Sequence, residues 1–581
     1  MNIKFFFIKI YFVFLFIILE LKKNINHYLT TARNLWEIKF LSLCNFILFD
    51  KRPKFKNNDI NLFLEKNYKI NKYNNSNNKK KILIELLLPH HFEPMILNCL
   101  IGKNLSKLFN YECEVLINKN DYLLKEIVKS FNIKKYNYLE DNKLFTNIIY
   151  FIKSLYLIRY DLIDNNLYKL KYEGNEIGKA ALEHYLRFHN QNPKKKKKFL
   201  QYTSLAKAIV TYKSSKKIFA NKYKYFIIGE TQFIPNKILF HSALKSRTPV
   251  YTWKGWAVKG YIGRIINNYK NRNSIILQFS KKMTDKLIKI FKRKNILSIL
   301  YKKNEINNIG IETIWSETKI KKNISFKTKV DFYDYFRLKY NKNILILPHA
   351  MSDNLFNNKW NIFHNSYEWF YETVKQLTKI NNVNWLIKPH PYEYKFQGIT
   401  ARKIFNELKI NKKNIIFLEE DFHVRNLHKY IDTVITGNGS AGYEYTSLGI
   451  PVITTSDAAY SNFSFTVSPK NNLEYFKLLR NIYKLKKPSN LQIKKAQIFW
   501  YNLNYVLKNS HQILPKINQH GFFKKNLFFN KIRKQNLNLF KQNSLFDDIK
   551  FQTSSKNRHT ININFIKKQN LKENFRFNDI N

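Results

Sequence analysis

Residues 384–393 read NWLIKPHPYE, and residues 435–456 read ITGNGSAGYEYTSLGIPVITTS. Each opens on a short apolar run, as a buried strand does, and leaves it through a turn rich in Pro or Gly. The second turn leads into a helical pattern. The first N–H groups of a helix lack internal partners and carry partial positive charge, so a strand–turn–helix unit of this kind suits a phosphate. Gly437, Gly439 and Gly442 fall within six residues of a chain that has only 14 glycines, so their clustering carries information.

Working outward, apolar runs at 343–347, 383–388, 414–418, 432–436 and 451–455 alternate with helical patterns such as 366–380, where Phe370, Val374 and Leu377 share one face. That alternation predicts a doubly wound parallel sheet. A similar alternation begins earlier, with strands at Ile82–Leu88 (broken only by Glu85), Glu114–Ile117, Tyr225–Gly229 and Pro249–Trp253. The expected fold class is α/β: two facing Rossmann-like domains, an N-terminal helical extension and a partly disordered basic tail. The expected divisions are an apolar segment and linker over 1–77, a first Rossmann-like domain over 78–335, a second over 336–514 and a low-complexity tail over 515–581. Asn67–Lys81 reads as polar linker and 193–198, PKKKKK, as an exposed loop.

Ligands of such sheets bind beyond the carboxyl ends of the strands, where the candidate residues cluster. Lys388 and His390 leave one strand on a backbone stiffened by Pro389 and Pro391, suited to a phosphate's charge and hydrogen bonds. Asn438, Gly439 and Ser440 form the second turn, with Ser440 placed to cap the helix and touch phosphate, and Glu444 to reach ribose hydroxyls. His349 and Asp353 follow the strand at 343–347 and are candidates for acceptor contact or for a general base. Glu230, in the GETQ turn of the first half, is another candidate base, as are His90, His91 and Glu93. Asp331 and Asp334 are three apart in an aromatic run, and no DxD stands at a strand exit, so a metal-independent site with no cofactor is expected.

The formal charge is +60, from 101 basic and 41 acidic residues. It accompanies an excess of Asn, Ile, Phe and Tyr, the pattern of a codon bias toward Lys and Asn rather than of one basic stripe. No RNP, KH, zinc-finger or helix-turn-helix signature is present, so nucleic acid is disfavoured as a partner and a nucleic-acid-binding basic protein is kept only as an alternative of another class. Three cysteines (Cys44, Cys99, Cys113) without metal spacing fit a reducing compartment. Ile10–Leu19 is too short to span a bilayer, and the flanking lysines Lys4, Lys9, Lys22 and Lys23 suit either an interfacial helix or one packed on the first domain. A cytoplasmic protein, peripheral to the inner membrane, is the expectation.

In LPHAMSDNLF (347–356), SYEWF (366–370), NWLIKPHPYE (384–393) and GNGSAGYEYTSLGIPVI (437–453) the chain resembles bacterial capsular-polysaccharide and surface-carbohydrate glycosyltransferases. That group has the two-domain GT-B fold and includes the β-Kdo transferases of capsule assembly. Weaker echoes are EIGKAALEHYLRF (176–188) and ETQFIPNKILFHSAL (230–244). The resemblance implies that His390 and the Gly439–Ser440 turn hold the donor phosphate, with Glu444 at the ribose. It implies transfer of a sugar from a CMP- or UDP-linked donor to a glycan or lipid-linked acceptor, with inversion. Transfer of a polyol phosphate from a CDP-alcohol, and nucleotide-sugar binding without catalysis, are the alternatives.

Overall fold

The computed structural model describes residues 3–36, 54–71, 80–87, 92–119, 121–139, 144–188, 197–254, 262–272, 281–303, 326–351, 362–390, 399–419 and 424–506, with a few single residues besides. Contacts divide the chain into two compact units. One is built chiefly from Met1–Tyr185 and Lys196–Arg272, the other chiefly from Asn273–Lys508.

The first unit holds a six-stranded sheet of β1 (Lys81–Leu86), β2 (Glu112–Ile117), β3 (Lys135–Asn137), β4 (Tyr225–Ile228), β5 (Val250–Lys254) and β6 (Ile262–Ile266). Its order is β3-β2-β1-β4-β5-β6, parallel throughout except for β6, which closes the edge antiparallel to β5. Successive side chains of a strand point to opposite faces. Ile82, Ile84 and Leu86 accordingly enter the core shared with the helix Phe92–Phe109, while Leu83 and Leu87 enter the core on the other face. Burial on both faces is why these strands read as near-continuous apolar runs. Asn98 joins the layers, donating to the Glu85 carbonyl and accepting from Trp253 Nε1, each at 2.8 Å.

The second unit holds five strands: β7 (Asn343–Leu347), β8 (Asn384–Ile387), β9 (Ile415–Phe417), β10 (Thr433–Thr436) and β11 (Val452–Thr454). All are parallel, in the order β11-β10-β7-β8-β9. Trp369, Phe370, Val374 and Leu377 of the helix Ser366–Leu377 are buried against this sheet, and Asn365 caps that helix by accepting from Glu368 N. Numbered within its own unit, each parallel set runs 3-2-1-4-5. The order therefore reverses between β1 and β4 in one unit and between β7 and β10 in the other, and a reversal of this kind opens a crevice at the strand ends.

The structure differs from the sequence reading in several places. Residues 67–71, read as linker, are the last turns of the helix Asn58–Asn71. Asn67 and Asn71 are buried there, and Asn67 donates to Ser130 Oγ at 2.6 Å. Lys198 opens a 22-residue helix, Lys198–Phe219, that the sequence reading left unassigned. The tail, in keeping with the expectation that only part of it is disordered, contributes Phe529, Ile532 and Ile549 to the first core, with Phe529 packed edge-on against Phe63.

Candidate functional site

The register of β7 with β8 pairs Ile346 with Ile387, so His349 and His390 each follow three residues after aligned positions. Their rings meet edge to face, with centroids 6.1 Å apart and planes 72° apart. The two turns are fastened to one another. Glu393, buried, accepts from Ala401 N at 2.8 Å and from Met351 N at 3.4 Å, while its own N–H donates to the His390 carbonyl at 3.0 Å. One carboxylate thus joins the turn after β7, the turn after β8 and the start of the helix Ala401–Glu407. Lys388 is also buried, and its Nζ donates to the Pro389 carbonyl at 2.9 Å, bracing the turn that presents His390.

The glycine turn leaves β10, the neighbour of β7 across the reversal. Thr436 Oγ1 donates to the Leu347 carbonyl at 3.2 Å, which ties the two strand exits together. Tyr460 donates its hydroxyl to the Gly439 carbonyl at 2.8 Å. A Cβ on Gly442 would stand 2.0 Å from that phenol oxygen and 2.2 Å from Cζ, so close approach to Tyr460 requires the glycine. Of the clustered glycines none needs positive φ; that role falls to Gly449, at +83°. Gly449 N donates to the Thr446 carbonyl and Ile450 N to that of Tyr445, a Schellman motif closing the helix Ala441–Ser447.

Ser440 departs from expectation in one respect. It sits at φ −57°, ψ −27° before this helix, and its side chain makes no cap hydrogen bond, because capping geometry needs an extended backbone. Glu444 is buried rather than on a solvated face. Burial, reinforced by the Glu444 charge, pushes the Tyr445 and Tyr460 phenols well above their ordinary range. Asn438 and Gly439 are half-buried within the turn.

In the first unit, Glu230 follows β4, is half-buried and accepts at Oε1 from Thr231 N (2.8 Å) and Gln232 N (2.9 Å). The register of β1 with β4 pairs Ile84 with Ile227, which sets Glu85 opposite Ile228, two residues before Glu230. Glu85 is buried and accepts from Leu87 N at 2.6 Å. Burial raises its pKa to about 7, with Glu230's charge adding to the rise and hydrogen bonds from Leu87 and Asn236 opposing it. A carboxyl group titrating there can both take and return a proton near neutral pH.

Behind this pair the two weaker sequence echoes meet. Lys237 donates to both carboxylate oxygens of Glu183 at 2.6 Å in a fully buried ion pair, and Arg272 donates to Glu176 at 2.9 Å. Burial, then the charges of Lys237 and Arg272, hold His241 well below the usual histidine pKa, so it is neutral.

The other candidates are placed unevenly. Asp353, His90 and His91 lie outside the described residues, and Glu93 falls in the first turn of the helix Phe92–Phe109. Asp331 forms a capping box with Thr328 at the start of the helix Lys329–Phe336, a structural role. Among the described residues no group of three or more His, Cys, Asp or Glu side chains could hold a metal ion. Sequence reasoning assigned no role to Glu393 or Glu85. The signal for Glu85 was present, as the one charge interrupting an apolar strand.

Fold and site together define a doubly wound α/β protein with two Rossmann-like sheets, the second bearing histidines and a glycine turn at its point of reversal. No family model matches the sequence, and no curated protein matches it. Among solved structures, the KpsC β-Kdo 2,4 transferase of Thermosulfurimonas dismutans is similar at 13% identity, over 49% of this chain and 80% of that one, with TM-score 0.30. A glycosyltransferase from Rickettsia africae ESF-5 matches at 11% identity, over 79% of this chain and 99% of that one, with TM-score 0.24. UDP-GlcNAc 2-epimerase from Neisseria meningitidis matches at 12% identity, over 72% and 94%, with TM-score 0.23. These likenesses are slight, and the fold assignment rests on strand order and register.

Proposed function

We propose that the protein is a glycosyltransferase of surface-polysaccharide assembly, taking its sugar from a nucleotide-linked donor. The observation that carries this reading is the meeting of His349 with His390 beside the Gly439 turn at one strand-order reversal. The His390 ring and the backbone amides of the turn would supply donors to an anion there, and donors fixed in advance stabilise charge on a departing diphosphate. In this role His390 and Ser440 bind the phosphates, Asn438 and Gly439 shape the cradle, Lys388 holds the His390 turn, and Glu444 takes the ribose hydroxyls. His349, ring to ring with His390, and Asp353 are the candidates for acceptor contact or for a general base.

In the transfer, an acceptor hydroxyl oxygen attacks the anomeric carbon as the bond from that carbon to the phosphate oxygen breaks. The acceptor proton passes to a carboxylate, for which Glu230 is the candidate, and the nucleotide leaves with the electron pair. Such a single displacement inverts the anomeric centre. A donor screen with CMP- and UDP-sugars, run beside CDP-alcohols and scored by release of free nucleotide, tests the reading. Release from one nucleotide-sugar, lowered about 100-fold in kcat/KM by His390→Ala, is the expected outcome. Release from CDP-alcohols alone would replace sugar with polyol phosphate. Release from none would reduce the protein to a binder.

A further inference from the structure

Among its described side chains, the helix Ile3–Trp36 buries Phe16 and leaves a run of large apolar residues exposed. Phe16 stacks on Phe151 with centroids 4.1 Å apart, Phe12 lies against Phe199, and Glu20 accepts from Asn147 at 2.7 Å. These contacts seat it on the helices Leu144–Leu157 and Lys198–Phe219. Its other face carries Phe7, Phe14 and Ile18, spaced so that 3.6 residues per turn puts them in one stripe. The neighbouring helix repeats the pattern with Phe145, Ile149 and Tyr156. Phe7, Phe14, Phe145 and Ile149 are 61–79% exposed, and Lys9, seven residues before Phe16 on the packed side of its helix, reaches over the Tyr156 ring at 4.1 Å.

Exposed large apolar side chains grouped along one helix face mark a surface with a partner. The charges select which partner. Ile3–Trp36 contains a single acidic residue, Glu20, and that side chain is turned onto Asn147 and Lys23; Leu144–Leu157 contains none. Lys22 and Lys23 stand exposed just beyond the stripe, and Lys153 is exposed on the second helix. Two copies joined through this face would bring like charges together, whereas an anionic phospholipid surface offers the opposite charge. No helix among the described residues is long and apolar enough to cross a membrane. An apolar face bordered by lysines suits a helix lying in the headgroup region.

We propose that the paired outer faces of Ile3–Trp36 and Leu144–Leu157 form an interfacial docking surface for anionic phospholipid bilayers. The observation holds whatever reaction the two sheets perform. The test is co-sedimentation of the full chain with phosphatidylcholine vesicles and with vesicles containing phosphatidylglycerol. Wild type, Phe14→Glu with Ile18→Glu, and Phe145→Glu with Ile149→Glu are compared, with circular dichroism and Tm to confirm folding; all four positions are exposed. Binding to the phosphatidylglycerol vesicles, weakened by salt and lowered tenfold or more in each double variant, is expected. Equal binding in the second variant would overturn the two-helix surface. Absence of wild-type binding, or a concentration-dependent dimer that the substitutions abolish, would overturn the lipid assignment in favour of a second copy.

Discussion

The two sheets share one order of parallel strands and differ in what stands beyond them. The second presents His349 and His390, ring to ring, and a glycine turn whose Gly439 carbonyl accepts from Tyr460. The first presents Glu85 and Glu230, acceptors of which one is held partly protonated by burial. A shared order of parallel strands therefore carries different side chains at its ends, because the fold fixes only where strand ends lie. A few residues at those ends decide whether a crevice binds charge or moves protons.

The contrast can be broken most severely in the first unit, where Glu183 and Lys237 are buried together. Lys237→Ala leaves a buried carboxylate without its cation and should lower stability by about 3–5 kcal/mol, read by urea unfolding. Lys237→Met combined with Glu183→Leu should recover much of that. If the single variant unfolds like wild type, the pair is not the scaffold on which the carboxylates stand. Next in size is Gly442→Ala, whose methyl group would meet Tyr460. A loss of about 1–3 kcal/mol is expected from such overpacking, with weakened nucleotide binding as Tyr460 shifts its bond to Gly439. Unchanged Tm and affinity would show that the turn does not depend on that contact.

A pH series sharpens the comparison. The folded pKa of Glu85, about 7, lies above its ordinary 4.5, so the native state holds this proton more tightly than the unfolded chain. The contribution to stability is then full below pH 4.5 and is lost as pH rises through 7, by about 2–4 kcal/mol in total. Glu85→Gln should flatten that decline in Tm between pH 5 and 7.5. A decline equally steep in the variant would assign it to other groups. The smallest effect is expected at Glu393→Gln, which keeps the shape but weakens the acceptor for Ala401 and Met351. A several-fold loss of nucleotide affinity with little change in Tm would mark it as a positioning residue for both histidines.

Much of the second sheet could be read from residues alone. The expected strands at 343–347, 383–388 and 432–436 differ from β7, β8 and β10 by at most one residue at either end, because each is a short apolar run closed by Pro, Gly or His. The first sheet was harder for identifiable reasons. β3 has three residues, and β6 is an edge strand whose IGRII carries a buried arginine. Lys198–Phe219 is buried almost all round, with Ser204, Thr211, Ser214 and Ser215 inside, so no apolar stripe announces it. Ser215 reaches Ser242 Oγ at 2.7 Å, a contact made by two small hydroxyls that periodicity does not register. For the site, proximity of His349 to His390 followed from strand register, whereas pairing Glu85 with Glu230 required knowing that β1 and β4 are neighbours across 145 residues of chain.

The central claim is that the second sheet's reversal point holds a nucleotide. Isothermal titration of wild type, His390→Ala and Glu230→Gln with CMP, CDP, UDP and GDP tests it most directly. One nucleotide should bind wild type and Glu230→Gln alike and bind His390→Ala at least tenfold more weakly. Equal binding to His390→Ala, or loss confined to Glu230→Gln, would contradict the account and move the nucleotide away from the second sheet.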